Sequence, residues 1–299
     1  MRVFITGATG FVGSAVVKEL IGAGHQVVGL ARSEKAVHEL AAAGALAHRG
    51  DVEDLDSLRR GAAAADAVAH LGFIHDFANF AAVCEIDRRA IEALGSALVG
   101  SNRPFIITSG TALITPGRLA TENDASVLTV HDFPRIATEE AAQAVTDQGV
   151  RVALLRLSPS VHGEGDHGFV PALIGIARAT GVSAYVGEGQ NYWNAVHRLD
   201  AARVFRLALE HQAADARYHA VAEEAITFRA IAEAIGQGLN LPVVSKSPEE
   251  AAAHFGAFAG FTQLNAPASS QLTQQRLEWH PTQPTLLADL AQGHYFNGQ

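Results

Sequence analysis

Disulfides are ruled out first. The chain of 299 residues has a single cysteine, Cys84, which cannot form an internal bridge and suits a reducing, cytoplasmic compartment. Long apolar runs are missing too, and none approaches the ~20 residues of a membrane span. A strand reading that begins at Arg2 leaves no room for a leader, so a cytoplasmic protein with no membrane partner is expected. Positive charge is in short supply, with 22 Lys and Arg against 31 Asp and Glu. Nucleic acid needs a basic surface and is excluded as the main partner. The 14 histidines are scattered. With no H-E-x-x-H and no paired Cys/His spacing, no metal is expected. The remaining composition is that of a globular chain, long enough for one large core or two lobes.

What is present begins at residue one. Met1 to Val16 reads MRVFITGATGFVGSAV. Arg2 to Ile5 has the pattern of a short buried strand, and Thr6 to Gly13 that of a tight turn entering a helix. Gly7, Gly10 and Gly13 fall three apart. Gly7 makes the turn, Gly10 leaves room for a diphosphate, and Gly13 lets the helix pack on the strand. Thr9, Phe11 and Val12, between the glycines, are expected to contact the cofactor with them, and the helix N-terminus stabilises the anion.

Strand and helix signals then alternate. Strands are expected at Gln26–Leu30, Ala45–Arg49, Ala67–Leu71, Phe105–Thr108 and Val150–Leu157. Helices are expected at Glu34–Ala43, Leu55–Gly61, about Asp76–Val99 and about Pro134–Gln148. Continuous apolar strands alternating with helices predict an α/β fold, a Rossmann-type doubly wound parallel sheet covered on both faces. Ligands on such sheets lie beyond the carboxyl ends of the strands. After the second strand stand Arg32 and Ser33. An arginine here suits the 2′-phosphate of NADP, with NAD also open, and a helix-capping Arg-Ser pair is the structural alternative. After the third, Asp51 and Val52 face the adenine or cap the next helix. After the fourth, Leu71 and Gly72 offer small groups for the cofactor to cross, and His70 reads as a core histidine.

Thr6 to Gly13, Gly50-Asp51, His70-Leu71-Gly72 and Thr108-Ser109-Gly110, in that order, resemble the extended or atypical branch of the short-chain dehydrogenase/reductase superfamily. Leu155 to Gly163 and Gly187 to Ala202 agree. The resemblance covers nearly the whole chain. It implies a dinucleotide domain over 1–157 and a mainly substrate-binding, interleaved lobe over 158–299. Thr108 and Ser158 would then border the nicotinamide, and Ser109 or Thr111 would bond the substrate oxygen. Phe73, His162, Phe169, Trp193 and His197 would lie along the substrate cleft.

The departure from that pattern is the missing Y-x-x-x-K. Tyr185, Tyr192, Tyr218 and Tyr295 are the only tyrosines, and none stands where the family's catalytic pair does. Spacing from Arg156 puts His131 at the tyrosine position and Arg135 at the lysine position, with Glu139 one helical turn on. A register with Arg135 and Glu139 as the pair fits less well. His131 as imidazolium can donate a proton near neutral pH. Arg135 is a fixed cation suited to ribose hydroxyls. His131 also reads as a surface loop residue, and Arg135 with Glu139 as a surface pair.

Further on, helices are expected at Phe169–Thr180, Asp200–His211 (capped by Asp200), Ile226–Leu239 and Ala288–His294. Short strands are expected at Ala184–Val186 and Arg217–Val221, and Asn265 to Pro284 has no assignment. The apolar stripe of the long helix exceeds the needs of one sheet face, which suggests a helix-paired homodimer. Three functions remain open: an NADP-preferring oxidoreductase acting on a small carbonyl or alcohol with a non-tyrosine proton donor, a non-catalytic redox-sensing dinucleotide binder, and a sugar-nucleotide epimerase or dehydratase.

Overall fold

The computed structural model describes residues 1–114 and 117–297. Six strands and five helices alternate through its first half. They are β1 (Arg2–Thr6), α1 (Phe11–Gly22), β2 (Gln26–Ala31), α2 (Glu34–Ala42), β3 (Leu46–Arg49), α3 (Leu55–Ala63), β4 (Ala67–His70), α4 (Phe80–Ser96), β5 (Pro104–Gly110), α5 (Ala137–Asp147) and β6 (Arg151–Leu157). The second half adds β7 (Ser160–His162), α6 (Phe169–Thr180), β8 (Ser183–Val186), β9 (Tyr192–His197), α7 (Arg198–His211) and β10 (Ala216–Ala220). It ends with β11 (Glu223–Thr227), α8 (Phe228–Leu239), β12 (Val243–Lys246), α9 (Pro248–Phe255), α10 (Ala259–Thr262), α11 (Gln271–Leu277) and α12 (Leu286–Ala291).

The main sheet has seven strands in the order β10-β6-β5-β4-β1-β2-β3, all parallel. Side chains alternate across a strand, so β1 sends Val3 and Ile5 to one face and Phe4 to the other. Val3 and Ile5 join Val16, Leu20, Phe205 and Trp279 under α1 and α7. Phe4 joins Leu58, Ile91, Leu94 and Val145 under α3, α4 and α5. The smaller lobe has its own core around Trp193, Phe228, Ile231 and Phe255. From the second half, β10 joins the main sheet as an edge strand and α7 packs in the main core. Among the described residues no helix is long and apolar enough to cross a membrane.

Several boundaries differ from the sequence reading. The long helix starts at Phe80, not Asp76, because the Asp76 carboxylate accepts from the backbone of Ala78 and Asn79 and closes a turn first. The surplus apolar residues of its stripe, Phe77 and Phe80, turn toward Phe258 and Phe133. Asp200 does not cap α7. His197 does, accepting from Leu199 N at 3.2 Å, while Asp200 is buried and accepts from Thr282 and Gln283. The expected helix from Ile226 starts two residues later, with β11 running to Thr227 and Thr227 then capping α8. The unassigned stretch before Pro284 contains α11.

Candidate active site

The glycine turn is built by close approach. Gly7 has φ +68°, the left-handed region where a side chain is strained, and Gly10 N donates to Gly7 O at 3.0 Å. A Cβ on Gly13 would lie 2.0 Å from Gly7 O, and one on Gly7 would lie 2.8 Å from the backbone of Leu71 and Gly72. α1 therefore begins hard against the strand, with no acidic side chain in its first turn. Thr9 and Gly10 are exposed, so the loop is open to a ligand. This cradle, with free N–H groups at a helix N-terminus, fits a dinucleotide diphosphate. Val12 is half-buried and packs on the core. Phe11 is half-buried beneath the Arg198 guanidinium, 4.8 Å from its ring, and beside His167 at 5.8 Å.

Around it, Arg32 is exposed past the end of β2. Ser33 accepts from Ala36 N and caps α2. The Asp51 carboxylate accepts from Glu53 N, which leaves its second oxygen available. Val52 packs beside Gly72, where an added Cβ would meet it at 3.1 Å.

A buried chain of polar groups runs from this loop to Arg135. Gly72 N donates to Thr6 Oγ1 at 3.0 Å, and Thr6 Oγ1 meets His70 Nδ1 at 2.7 Å. His70 Nε2 reaches Asp87 Oδ1 at 3.1 Å. Thr6 Oγ1 already accepts from Gly72 N, which leaves its own proton free for His70 Nδ1. The other Asp87 oxygen takes Arg135 Nη1 at 2.5 Å and Thr138 Oγ1 at 2.6 Å, and Arg135 Nη1 also contacts Thr138 Oγ1. Burial alone would raise the Asp87 pKa. The Arg135 charge, His70 and Thr138 outweigh it and hold the carboxyl at about 2. Arg135 Nη2 approaches Thr108 O at 3.4 Å, and its guanidinium lies 3.9 Å over the Phe73 ring. Arg135 thus stands past the carboxyl end of β4, over Phe73, and beside Thr108 near the end of β5. The sequence did not single out Asp87, whose acidic side chain lies on an apolar helix face 48 residues from Arg135.

The hydroxyls expected to meet substrate are committed elsewhere. Ser109 is buried and donates to Glu139 Oε1 at 2.9 Å, and the same carboxylate pairs with Arg156, whose side chain is fully buried. β5 continues to Gly110, so Ser109 still alternates on the strand and points at α5. Thr111 is buried and donates to Asn194 Oδ1 at 3.0 Å and to Leu157 O at 3.3 Å. Ser158 donates to Ala220 O at 3.0 Å. Thr108 Oγ1 is different, being buried with no partner among the described residues. A buried hydroxyl left without a bond is costly, and a bound group would satisfy it.

Three expected substrate contacts are corrected. Trp193 is 1% exposed and packs inside the lobe against Phe169 at 4.1 Å and Phe228 at 5.6 Å. His162 is fully buried and bonded to Asp289 at 2.8 Å. His197 is buried, caps α7 and stands edge-on to His162. These residues lie on β7 and β9, whose small sheet is roofed by α12, and so they form core. Phe73 and Phe169 are half-buried. His131 is exposed in the Thr129–Asp132 turn and takes no part in the Arg135 network. Phe133 instead packs inward, 5.5 Å from Phe80. Another imidazole, His75, stands edge-on at 5.3 Å to Phe73, the ring that Arg135 covers. Surrounding protein, then repulsion from Arg135 and His167, lower its pKa from 6.5.

Fold and site together define a Rossmann-type dinucleotide-binding α/β protein of the extended short-chain dehydrogenase/reductase kind. The match of residues 3–222 to the family model for the NAD dependent epimerase/dehydratase family makes the membership specific: the chain belongs to that family. It is 50% identical to an uncharacterized protein of Schizosaccharomyces pombe over 99% of this chain and 100% of that one. It is 27% identical to a 2-alkyl-3-oxoalkanoate reductase of Stenotrophomonas maltophilia, covering 70% of this chain and 66% of the relative. It is 25% identical to a decarboxylating sterol-4-alpha-carboxylate 3-dehydrogenase of Dictyostelium discoideum, covering 76% and 73%. Among solved structures, a dTDP-glucose 4,6-dehydratase of Streptomyces venezuelae with NAD bound superposes with a TM-score of 0.78 at 20% identity, over 99% of this chain and 98% of that one. The fold is thus shared with NAD-bound enzymes.

Proposed function

We propose that this protein is an NADP(H)-preferring oxidoreductase that moves hydride between nicotinamide and a small carbonyl or alcohol, without a tyrosine proton donor. The observation that carries the proposal is Arg135, fixed by Asp87 at the carboxyl edge of β4 and β5 and tied through His70 and Thr6 to the glycine turn. Gly7, Gly10 and Gly13 hold the diphosphate. Arg32 meets a 2′-phosphate, and Asp51 lies on the adenine side. Arg135 faces the nicotinamide ribose hydroxyls as a permanent cation. The Thr108 hydroxyl, buried and unpaired, donates to a bound oxygen.

The nicotinamide, when bound, supplies or accepts the hydride. The carbonyl oxygen then needs a proton and the alcohol must give one up. His75 is the imidazole we assign to that exchange, with His131 as the alternative. A neutral His75 accepts from an alcohol near pH 7, and a protonated one donates below its depressed pKa. Both curated relatives with a stated reaction are named as a reductase and a dehydrogenase, which favours this reading over an epimerase or dehydratase. The engagement of Ser109 and Thr111 in internal bonds favours the second reading, a redox-sensing binder without turnover.

The test is NADPH oxidation against a panel of carbonyls, beside titration of the cofactor. Stoichiometric turnover supports the oxidoreductase. Tight binding that discriminates NADPH from NADP, with no turnover on the panel, supports the sensor instead.

A further inference from the structure

Phenylalanines converge beyond the sheet from segments far apart in sequence. Phe73 follows β4, and Phe80 opens α4 at 6.2 Å from it. Phe133 lies 5.5 Å from Phe80 and 6.3 Å from Phe261 of the lobe. Phe77 stacks on Phe80 at 5.8 Å and reaches Phe258 at 6.3 Å. Phe169 closes the ring of contacts at 5.4 Å from Phe258. The array bridges the main body and the lobe, and at one end it touches the Arg135 guanidinium.

Two features separate this array from core. First, its rings are half-buried, and Phe77 is 50% exposed, whereas the aromatic rings of the main core, such as Phe4, Phe105 and Phe205, are fully buried. Clustered apolar surface left in water marks a binding site. Second, the cation that lies against it among the described residues is Arg135, and Asp87 already neutralises that charge. A diphosphate of a nucleotide-linked sugar would need free cations to replace its water. The array offers phenyl faces and edges instead, which suit a flat apolar body at ring separations of 4.5–7 Å.

We propose that the substrate is an uncharged carbonyl or alcohol carrying an aromatic group, seated among these phenylalanines with its oxygen toward His75 and Thr108. The proposal rests on the oxidoreductase reading above and names the substrate class of that same site. The lobe residues Phe258 and Phe261 supply the wall that the dinucleotide half lacks.

The experiment has three arms. Calorimetry first measures NADP and NADPH binding to the full chain. The NADP complex is then titrated with 2-acetylnaphthalene and with UDP-glucose. NADPH oxidation is finally compared for 2-naphthaldehyde and glyceraldehyde. The expected result is binding of 2-acetylnaphthalene but not UDP-glucose, and kcat/KM for 2-naphthaldehyde at least about a hundredfold above glyceraldehyde. Phe133→Leu and the surface variant Phe77→Ala should each weaken 2-acetylnaphthalene about tenfold and raise KM, with cofactor affinity unchanged. Phe77→Ala guards against a folding defect, since its ring is half-exposed. If cofactor binds but UDP-glucose binds in place of the aromatic ketone, or glyceraldehyde reacts as well, the substrate class is overturned and the oxidoreductase stands. If cofactor binds and 2-acetylnaphthalene does not, the class is likewise overturned. If no dinucleotide binds, the oxidoreductase reading falls and takes this one with it.

Discussion

Replacing Asp87 with asparagine tests the polar chain that positions Arg135. Asp87 is 4% exposed and receives His70, Arg135 and Thr138. Its depression from an ordinary 3.8 to about 2 corresponds to about 2 kcal/mol of stability. A carboxyl whose pKa is lowered by folding contributes that stability above its unfolded value and loses it as pH falls through the folded value. The wild type should therefore lose about 2 kcal/mol between pH 4 and pH 2 from this group. Asp87→Asn removes the charge and leaves the Arg135 guanidinium, whose side chain is only 16% exposed, without its counter-ion. Breaking a buried pair from one side costs roughly 3–5 kcal/mol. The residual exposure of Arg135 trims this to about 2–4 kcal/mol. Urea denaturation at pH 7 measures the loss, and the same melt repeated toward pH 3 should show a flatter acid limb in the variant. Calorimetry should also show weaker dinucleotide binding, because Arg135 is free to turn away. A change below about 0.5 kcal/mol at pH 7 with unchanged cofactor affinity would refute the positioning role.

Other substitutions probe the rest of the site. Gly13→Ala puts a Cβ into Gly7 O and should destabilise by about 1–3 kcal/mol and abolish dinucleotide binding, both readable in one thermal-shift series with and without NADP. Thr108→Val removes a buried hydroxyl that has no partner among the described residues. Stability should stay within about 0.5 kcal/mol while kcat falls at least about tenfold, and an unchanged kcat would remove Thr108 from the site. His75 has its pKa lowered from 6.5 by its surroundings and by Arg135, so carbonyl reduction should rise as pH drops below 6.5 and alcohol oxidation should hold above it. His75→Asn should erase that limb in a pH–rate profile, whereas retention of the limb in His75→Asn and its loss in His131→Ala would return the role to His131.

The dinucleotide half was legible because its signals are local. Gly7 and Gly13 answer a requirement a few residues away, and the strands of the sheet repeat a pattern of short apolar runs. The candidate site was less legible because its decisive contacts are long-range. Asp87 finds Arg135 across 48 residues, and only folding reveals that an acid in an apolar helix stripe has a cationic partner. A strand ending at Thr108 makes Ser109 a post-strand turn residue. Two further strand residues keep the alternation going and aim Ser109 at Glu139 rather than the cleft. Trp193, His162 and His197 were placed near the cleft by resemblance, yet the small sheet that carries them is covered by α12. Phe258 and Phe261 both lie before the polar stretch at Asn265, in a segment after Leu239 for which the sequence reading gives no element, so their place opposite Phe77 and Phe133 could not be foreseen.

The central claim is a dinucleotide site with a preference for the 2′-phosphate. Its most direct measurement is a calorimetric titration of NADP, NADPH, NAD and NADH against the wild type and Arg32→Ala. The account predicts tighter binding of the phosphorylated pair, by about tenfold or more, and loss of that preference in Arg32→Ala, whose exposed side chain leaves the fold intact. Equal affinity for both pairs in the wild type would contradict the cofactor preference. Absence of binding by all four would contradict the glycine-turn argument and every site residue built on it.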